Sequence, residues 1–516
     1  MTGSRRIGWM AGGAIALGAV LATAGGCSQI EAALRPPDAP SSSAPAQVTR
    51  MPGDDTTVLG GDEDELAIAT SEALFAHADV VVLADASAVP LAAGVAVRLG
   101  APALLAPASQ TTPTPRASDA DGSLIDELER LDASTLVAVG PGATEWATAH
   151  GREAGIGHVV ASLESALLPV SQADSPLERL TVVALPGASA ARATAEAAGA
   201  AVVELQDPDP RRTAADATAL SGRSLDHVLA LGTAFGAPDR LRDRVETAAT
   251  GVQLPGGGQV LFPGHRFVAL YGHPGAPVLG VLGEQGIDDS IARARQLADQ
   301  YQAAFGETVV PTFEIIATVA SGGAGPDGDY SAETSVDDLR PWVDAAKAAG
   351  VYVMLDLQPG RTDFLTQAKR YESLLAEPNV GLALDPEWRL GPDEYHLKNI
   401  GHVAAAEVNA VGLWLEQLAE GHRLPQKVFM IHEWRRSMLP DRQAIVTDYD
   451  DLGVVIHVDG FGTTGSKLQT WGAMLADAPS GVAWGWKNFI DEDKPMLTPE
   501  QTVATVQPAP VFISYQ

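Results

Sequence analysis

Val380-Gly-Leu-Ala-Leu-Asp385-Pro-Glu387-Trp388 and Lys427-Val-Phe-Met-Ile-His432-Glu433-Trp434 decide how the second half of this 516-residue sequence reads. Each is a short apolar run that stops on carboxylates and an indole, the second also on an imidazole. An unbroken apolar run of this length suits a parallel strand buried on both faces. Working outward, similar runs recur at Pro277–Leu282, Thr312–Ala320, Val351–Gln358, Gly453–Gly460, Gly481–Phe489 and Val511–Tyr515. Stretches with helical spacing separate the early ones, at Asp288–Phe305, Val336–Ala349, Asp363–Leu375 and Ile400–Ala419.

Eight strands with intervening helices over 270–516 is the arithmetic of a TIM-like (β/α)8 barrel, whose usual length is about 250 residues. The eighth run leaves no room for a final helix. A seven-stranded variant, or a barrel completed by an earlier helix, stays open on this reading.

Such barrels take their catalytic groups from the C-terminal ends of strands. There the runs carry Glu284, Asp356, Asp385, Glu387, His432, Glu433, His457, Asp459 and Lys487. Side chains alternate along a strand, so Asp385 shares a face with Glu387, and His457 with Asp459. Burying many like charges is costly unless they are exposed, paired or used. Paired acids suit glycoside hydrolysis, in which one protonates the leaving oxygen and the other acts as nucleophile or base. Trp388, Trp434, Trp484 and Trp486 lie at or near the same strand ends. Their flat faces suit sugar rings, although about half of such tryptophans are expected to pack on helices. The expected roles are Glu387 as general acid, Glu433 or Asp459 as its partner carboxylate, and Asp356 and Asp385 as tuning groups. The four tryptophans, His432, His457 and Lys487 are the expected substrate-binding residues. Over Val380–Glu387 the chain resembles the "D-G-x-D-x-D-x-E" strand of family 18 chitinase-like barrels. That resemblance implies Glu387 as the acid and Asp385 as its neighbour, while Val380 and Ala383 stand where the family has its first two acids.

Two other readings remain. His432 and His457 end consecutive runs, as metal-binding histidines do in amidohydrolase-like barrels. The first run has no His-x-His and the eighth no acid, so neither a metal nor another cofactor is expected. The barrel could also serve as a non-catalytic binding or scaffold module on the cell surface.

Residues 57–255 alternate valine-rich strands with helices: Ala78–Ala84, Val89–Leu99, Ala101–Ala106, Ser123–Leu131 and Thr135–Gly140. A fainter echo follows at Leu180–Leu185, Ala188–Ala198, Ala201–Leu205 and His227–Gly232. This alternation predicts an open, mostly parallel α/β domain in two related halves. The segment "ADVVVLADASAVPLAAGVAVRLGAPALLAPAS", with "LDASTLVAVGPGATEW" after it, resembles the cell-wall-binding repeat of Gram-positive surface proteins. The resemblance implies wall attachment, and Asp62-Glu-Asp-Glu65 replaces the family's arginine-tyrosine element.

The chain opens with Arg5-Arg6, an apolar run Ile7–Ala24, and Gly25-Gly26-Cys27. A basic start, an apolar stretch and small residues before a cut make a secretory signal. The junction resembles a bacterial lipobox, which implies a signal peptide over 1–26 and lipidation of Cys27. The protein is then expected on the extracytoplasmic side of the membrane, held by the lipid on Cys27. Residues 27–56, rich in Pro, Ser and Ala, read as a tether. The single cysteine excludes an intramolecular disulfide framework and any multi-cysteine metal cluster. With 65 acidic and 34 basic residues, a net charge of −31 argues against a nucleic-acid partner. A cell-envelope glycan is the expected partner besides the membrane.

Overall fold

The structure is a computed structural model that describes residues 46–108, 115–163, 168–187 and 189–516. The signal segment, Cys27 and most of the tether lie outside the described residues. Eight strands make the barrel: β1 (His265–Gly272), β2 (Thr308–Ala320), β3 (Tyr352–Leu357), β4 (Val380–Leu384), β5 (Lys427–Glu433), β6 (Leu452–Val458), β7 (Ala483–Asn488) and β8 (Phe512–Tyr515). Each pairs in parallel with the next, and β8 returns to β1 through Phe267↔Phe512, so the TIM-like barrel is closed by eight strands.

The first strand corrects the sequence reading. Pro277–Leu279 and Val281–Glu284 are 3-10 turns, and the strand lies upstream, at His265–Gly272. Pro277 has no N–H to give a ladder. Gly280, at φ +133°, lies so close to the end of β1 that a Cβ would sit 2.5 Å from the Tyr271 carbonyl oxygen. The turns therefore fold back over β1 instead of extending it.

Alternation sorts the strand residues into two cores. Val268, Leu270, Phe313, Ile315, Val353, Leu355, Leu382, Phe429, Ile431 and Ile513 point outward, into one cluster with helices such as Ile287–Phe305, Val336–Ala349 and Ala405–Gly421. Phe267, Val310, Tyr352, Met354, Val428, Met430, Val455 and Phe512 fill the interior, plugged from beneath by Leu254 and Leu261. Full burial of each such side chain is worth about 1.5–3 kcal/mol. The helix Val336–Ala349 is bounded by a Ser335 N-cap and by Gly350 at φ 68°. Between β5 and β6 the described chain has only the 3-10 turns Arg436–Met438 and Arg442–Ala444.

The N-terminal region holds two open, four-stranded parallel sheets; three strands of each follow the same order, as the two-halves reading expects, and the fourth follows them in the chain in one sheet and precedes them in the other. One runs Ala103–Leu105, Val80–Ala84, Thr135–Val139, His158–Val160. The other runs Ala201–Glu204, Leu180–Ala184, His227–Leu231, Thr56–Leu59. The Thr194 hydroxyl stitches the halves, donating to the Ala103 carbonyl and accepting from its N–H, both at 2.9 Å. The folded region begins earlier than residue 57. Ala46–Thr49 lies between Phe75–Ala78 and Gln172–Ala173 in a further small sheet.

This region packs beneath the barrel, at the N-terminal end of β6. The buried Arg211 donates to Asp209 and to Asp451 Oδ1 at 2.6 Å, and lies 3.0 Å from Asp450 Oδ2; Arg244 also pairs with Asp450. The C-terminal mouth faces the other way. Removing one partner of a buried ion network leaves the others uncompensated, at about 3–5 kcal/mol. Arg211→Ala is expected to lower the denaturation midpoint by a corresponding amount in urea unfolding, and an unchanged midpoint would rule out this junction as a stability determinant.

Candidate active site at the mouth of the barrel

The C-terminal ends of the strands carry a polar layer directly above the apolar interior. Tyr271 comes from β1, Glu314 from β2, Asp356 from β3, Asp385 from the end of β4, His432 from β5, His457 and Asp459 from β6 and its end, Lys487 from β7 and Ser514 from β8. All but Asp459 are buried. Asp459 is the hub. His432 Nδ1 donates to its Oδ2 at 2.9 Å, His457 Nδ1 to its Oδ1 at 2.7 Å, and Lys487 Nζ to Oδ2 at 3.2 Å. The Ser514 hydroxyl, 3.1 Å away, donates to Nε2 of His457, consistent with a neutral ring whose proton is on Nδ1. His432 Nε2 lies 3.0 Å from Glu314 Oε1, without hydrogen-bond alignment, and 3.9 Å from Asp356 Oδ1. Tyr271 donates to Asp356 Oδ2 at 2.9 Å, and Lys487 Nζ sits 3.6 Å from the Tyr271 ring centre.

These contacts divide the acids into two sets. Burial alone would push Asp459 up, yet the His432 and Lys487 cations hold it well below the usual carboxylate range. Glu314 is held low against burial by His432. Burial, then the neighbouring Glu387 carboxylate, pushes Asp385 well up. Burial likewise raises Glu387, with Asp459 adding to it, and raises Asp356 to about 6. Burial opposes the His432 cation, but Asp459, Glu314 and Asp356 outweigh it and hold the ring protonated well above the usual imidazole range. His457 is pushed down by burial.

Asp385, Glu387, Trp388, Trp434, Asp459 and Lys487 line one cavity of ≈ 280 Å³. Trp434 Nε1 donates to Glu387 Oε2 at 2.8 Å, which orients the acid. Three expected site residues lie elsewhere. Glu433 neighbours the inward His432 and therefore points out of the barrel, where Arg442 donates to its Oε2 at 2.6 Å and to the Met474 carbonyl. Trp484 and Trp486 also point outward and pack edge-to-face on Trp471 of the helix Thr464–Leu475, at 5.8 and 5.6 Å. The acid at the first run, Glu284, binds Arg293 beside the mouth. Glu314 and Tyr271 were missed. A lone acid inside the apolar run Val309–Ala317 was the available signal for Glu314, and Tyr271 was hidden by the misplaced first strand.

Donor atoms of His432, His457 and Asp459 lie within 4.8 Å of one another, a spacing that a metal ion could use. These atoms also bond to one another, and the Lys487 ammonium, 3.2 Å from Asp459 Oδ2, puts a positive charge beside the place an ion would take. The lysine disfavours a metal ion at this position. Fold and site together define a TIM-like barrel with an acid-rich, aromatic-lined mouth. No protein-family model, curated protein or solved structure matches the chain.

The stability from Asp459 is present above the ordinary carboxylate range and is lost as pH falls through its depressed value. That from His432 is complete below the ordinary imidazole range and is lost as pH rises through its raised value. Between the two the pair is intact. Nitrogen NMR of the rings at pH 7.5 is expected to show His432 doubly protonated and His457 neutral, with His432 titrating at lower pH in Asp459→Asn. A neutral His432 in the wild type would contradict the charge assignment.

Proposed function

We propose that this chain is an extracytoplasmic, membrane-anchored protein that binds and hydrolyses a glycan of the cell envelope. One observation carries the catalytic part: Glu387 and Asp459 share a cavity while their surroundings push their protonation in opposite directions. A pair of acids separated in this way supplies a proton donor and a standing negative charge. Glu387, raised by burial and oriented by Trp434, gives its proton to the leaving oxygen. Asp459, ionised, faces the positive charge that develops on the sugar ring. Trp388 and Trp434 offer ring faces to the sugar. Asp385, pushed well above the usual carboxylate range, keeps the mouth from accumulating further negative charge.

Glycan release from purified envelope tests this. General acid catalysis is worth about 10²–10⁴-fold, so Glu387→Gln should lose that much in kcat while still binding substrate. Asp459→Asn should lose activity too. Chelator should have no effect, and Glu433→Gln should act through stability. Activity should fall as pH rises through the raised value of Glu387, and again in strong acid as Asp459 protonates. Equal activity in wild type and Glu387→Gln would leave a binding module in place of an enzyme.

The anchor rests on the lipobox resemblance at Gly25-Gly26-Cys27. Cys27→Ser should move the protein from the membrane fraction to the medium, and retention of the variant on membranes would refute lipidation at this residue.

A further inference from the structure

The cavity at Glu387 does not end there. A second hollow of ≈ 390 Å³ adjoins it and shares Val278, Phe461, Phe489 and Gln516 as walls. The hollow lies between the turns after β1 and the loop after β7. Phe461 is 59% exposed and stands edge-to-face against Phe489, with ring centres 5.9 Å apart; Val278 is 91% exposed. An exposed aromatic ring braced by a second ring, on the ridge between two hollows, is a ready stacking surface.

The two hollows differ in charge. Glu284, Asp491 and Glu492 line the second, whereas in the first burial pushes Asp385 and Glu387 toward their neutral forms and Asp459 is paired with His432 and Lys487. Lys487 is the one basic residue on either wall, and Asp459 already holds it. Glu284 is matched by Arg293, whereas Asp491 and Glu492 have no ion pair among the described residues. The second hollow, with the unpaired Asp491 and Glu492, therefore repels anionic units of a chain that enters it, since charges act across roughly 8–10 Å at ordinary ionic strength.

We infer that the two hollows are consecutive subsites of one cleft, with Phe461 as the platform between them. The ligand is then a glycan chain, neutral or amine-bearing, and uronate or otherwise anionic chains are excluded. This rests on the glycan reading of the mouth. The test measures binding of the full chain to neutral, amine-bearing and uronate oligosaccharides of one to six units, displayed on an array and followed by calorimetry. Affinity should rise about ten-fold once a chain is long enough to enter the second hollow. Phe461→Ala should remove that rise, and Asp491→Asn with Glu492→Gln should weaken the discrimination against uronates. Binding of short neutral sugars with no gain on lengthening, or equal binding of uronates, would overturn the two-subsite cleft and leave the glycan reading standing. Failure of every oligosaccharide to bind would overturn both.

Discussion

The Asp459 carboxylate is the contact on which the mouth depends. Three donors reach it, from the adjacent strands β5, β6 and β7. An unpaired charge at this depth would cost several kcal/mol, so the strands are held in the register that brings His432 beside His457. Gly485, next on β7, has to be glycine for the same reason, because a Cβ there would lie 2.5 Å from the His457 ring. The two cations that satisfy Asp459 also hold Glu314 ionised, and they are opposed at Asp385 and Glu387 by burial and neighbouring acids. The register of the barrel and the sorting of its acids are thus one constraint.

The barrel was readable because seven of its eight strands lie in largely apolar runs, and because helices such as Val336–Ala349 carry both periodicity and caps. The site was readable only in part. Alternation was the decisive signal: His432 and Glu433 are neighbours on a strand, so only one of them can face inward. With His432 inside, Trp434 follows it and Glu433 must turn out toward Arg442. The same parity separates Lys487, which enters the mouth, from Trp486, which packs on Trp471.

What the sequence concealed has physical causes. Val281 and Leu282 after β1 join the outer core while Pro277 and Val278 are exposed, so Pro277–Leu282 imitates a strand without making a ladder. Glu314 sits within an apolar run because its partner, His432, arrives from β5, more than a hundred residues later. Long-range pairings of this kind leave no local trace. The N-terminal halves were visible as repeated strand and helix runs, whereas the contribution of Thr56–Leu59 to the second half depended on tertiary pairing with His227–Leu231.

The arrangement at the start of the folded region has a mechanical side. Ala46–Thr49 is hydrogen-bonded to strands on both flanks, and Thr56–Leu59 edges a sheet whose other strands begin at residue 180. Tension applied to the chain ahead of Ala46 meets two rows of backbone bonds at once before it reaches any helix. The barrel joins this region through Arg211 and Asp451, at the end opposite its mouth. Its mouth would keep its shape while the first strands took the strain.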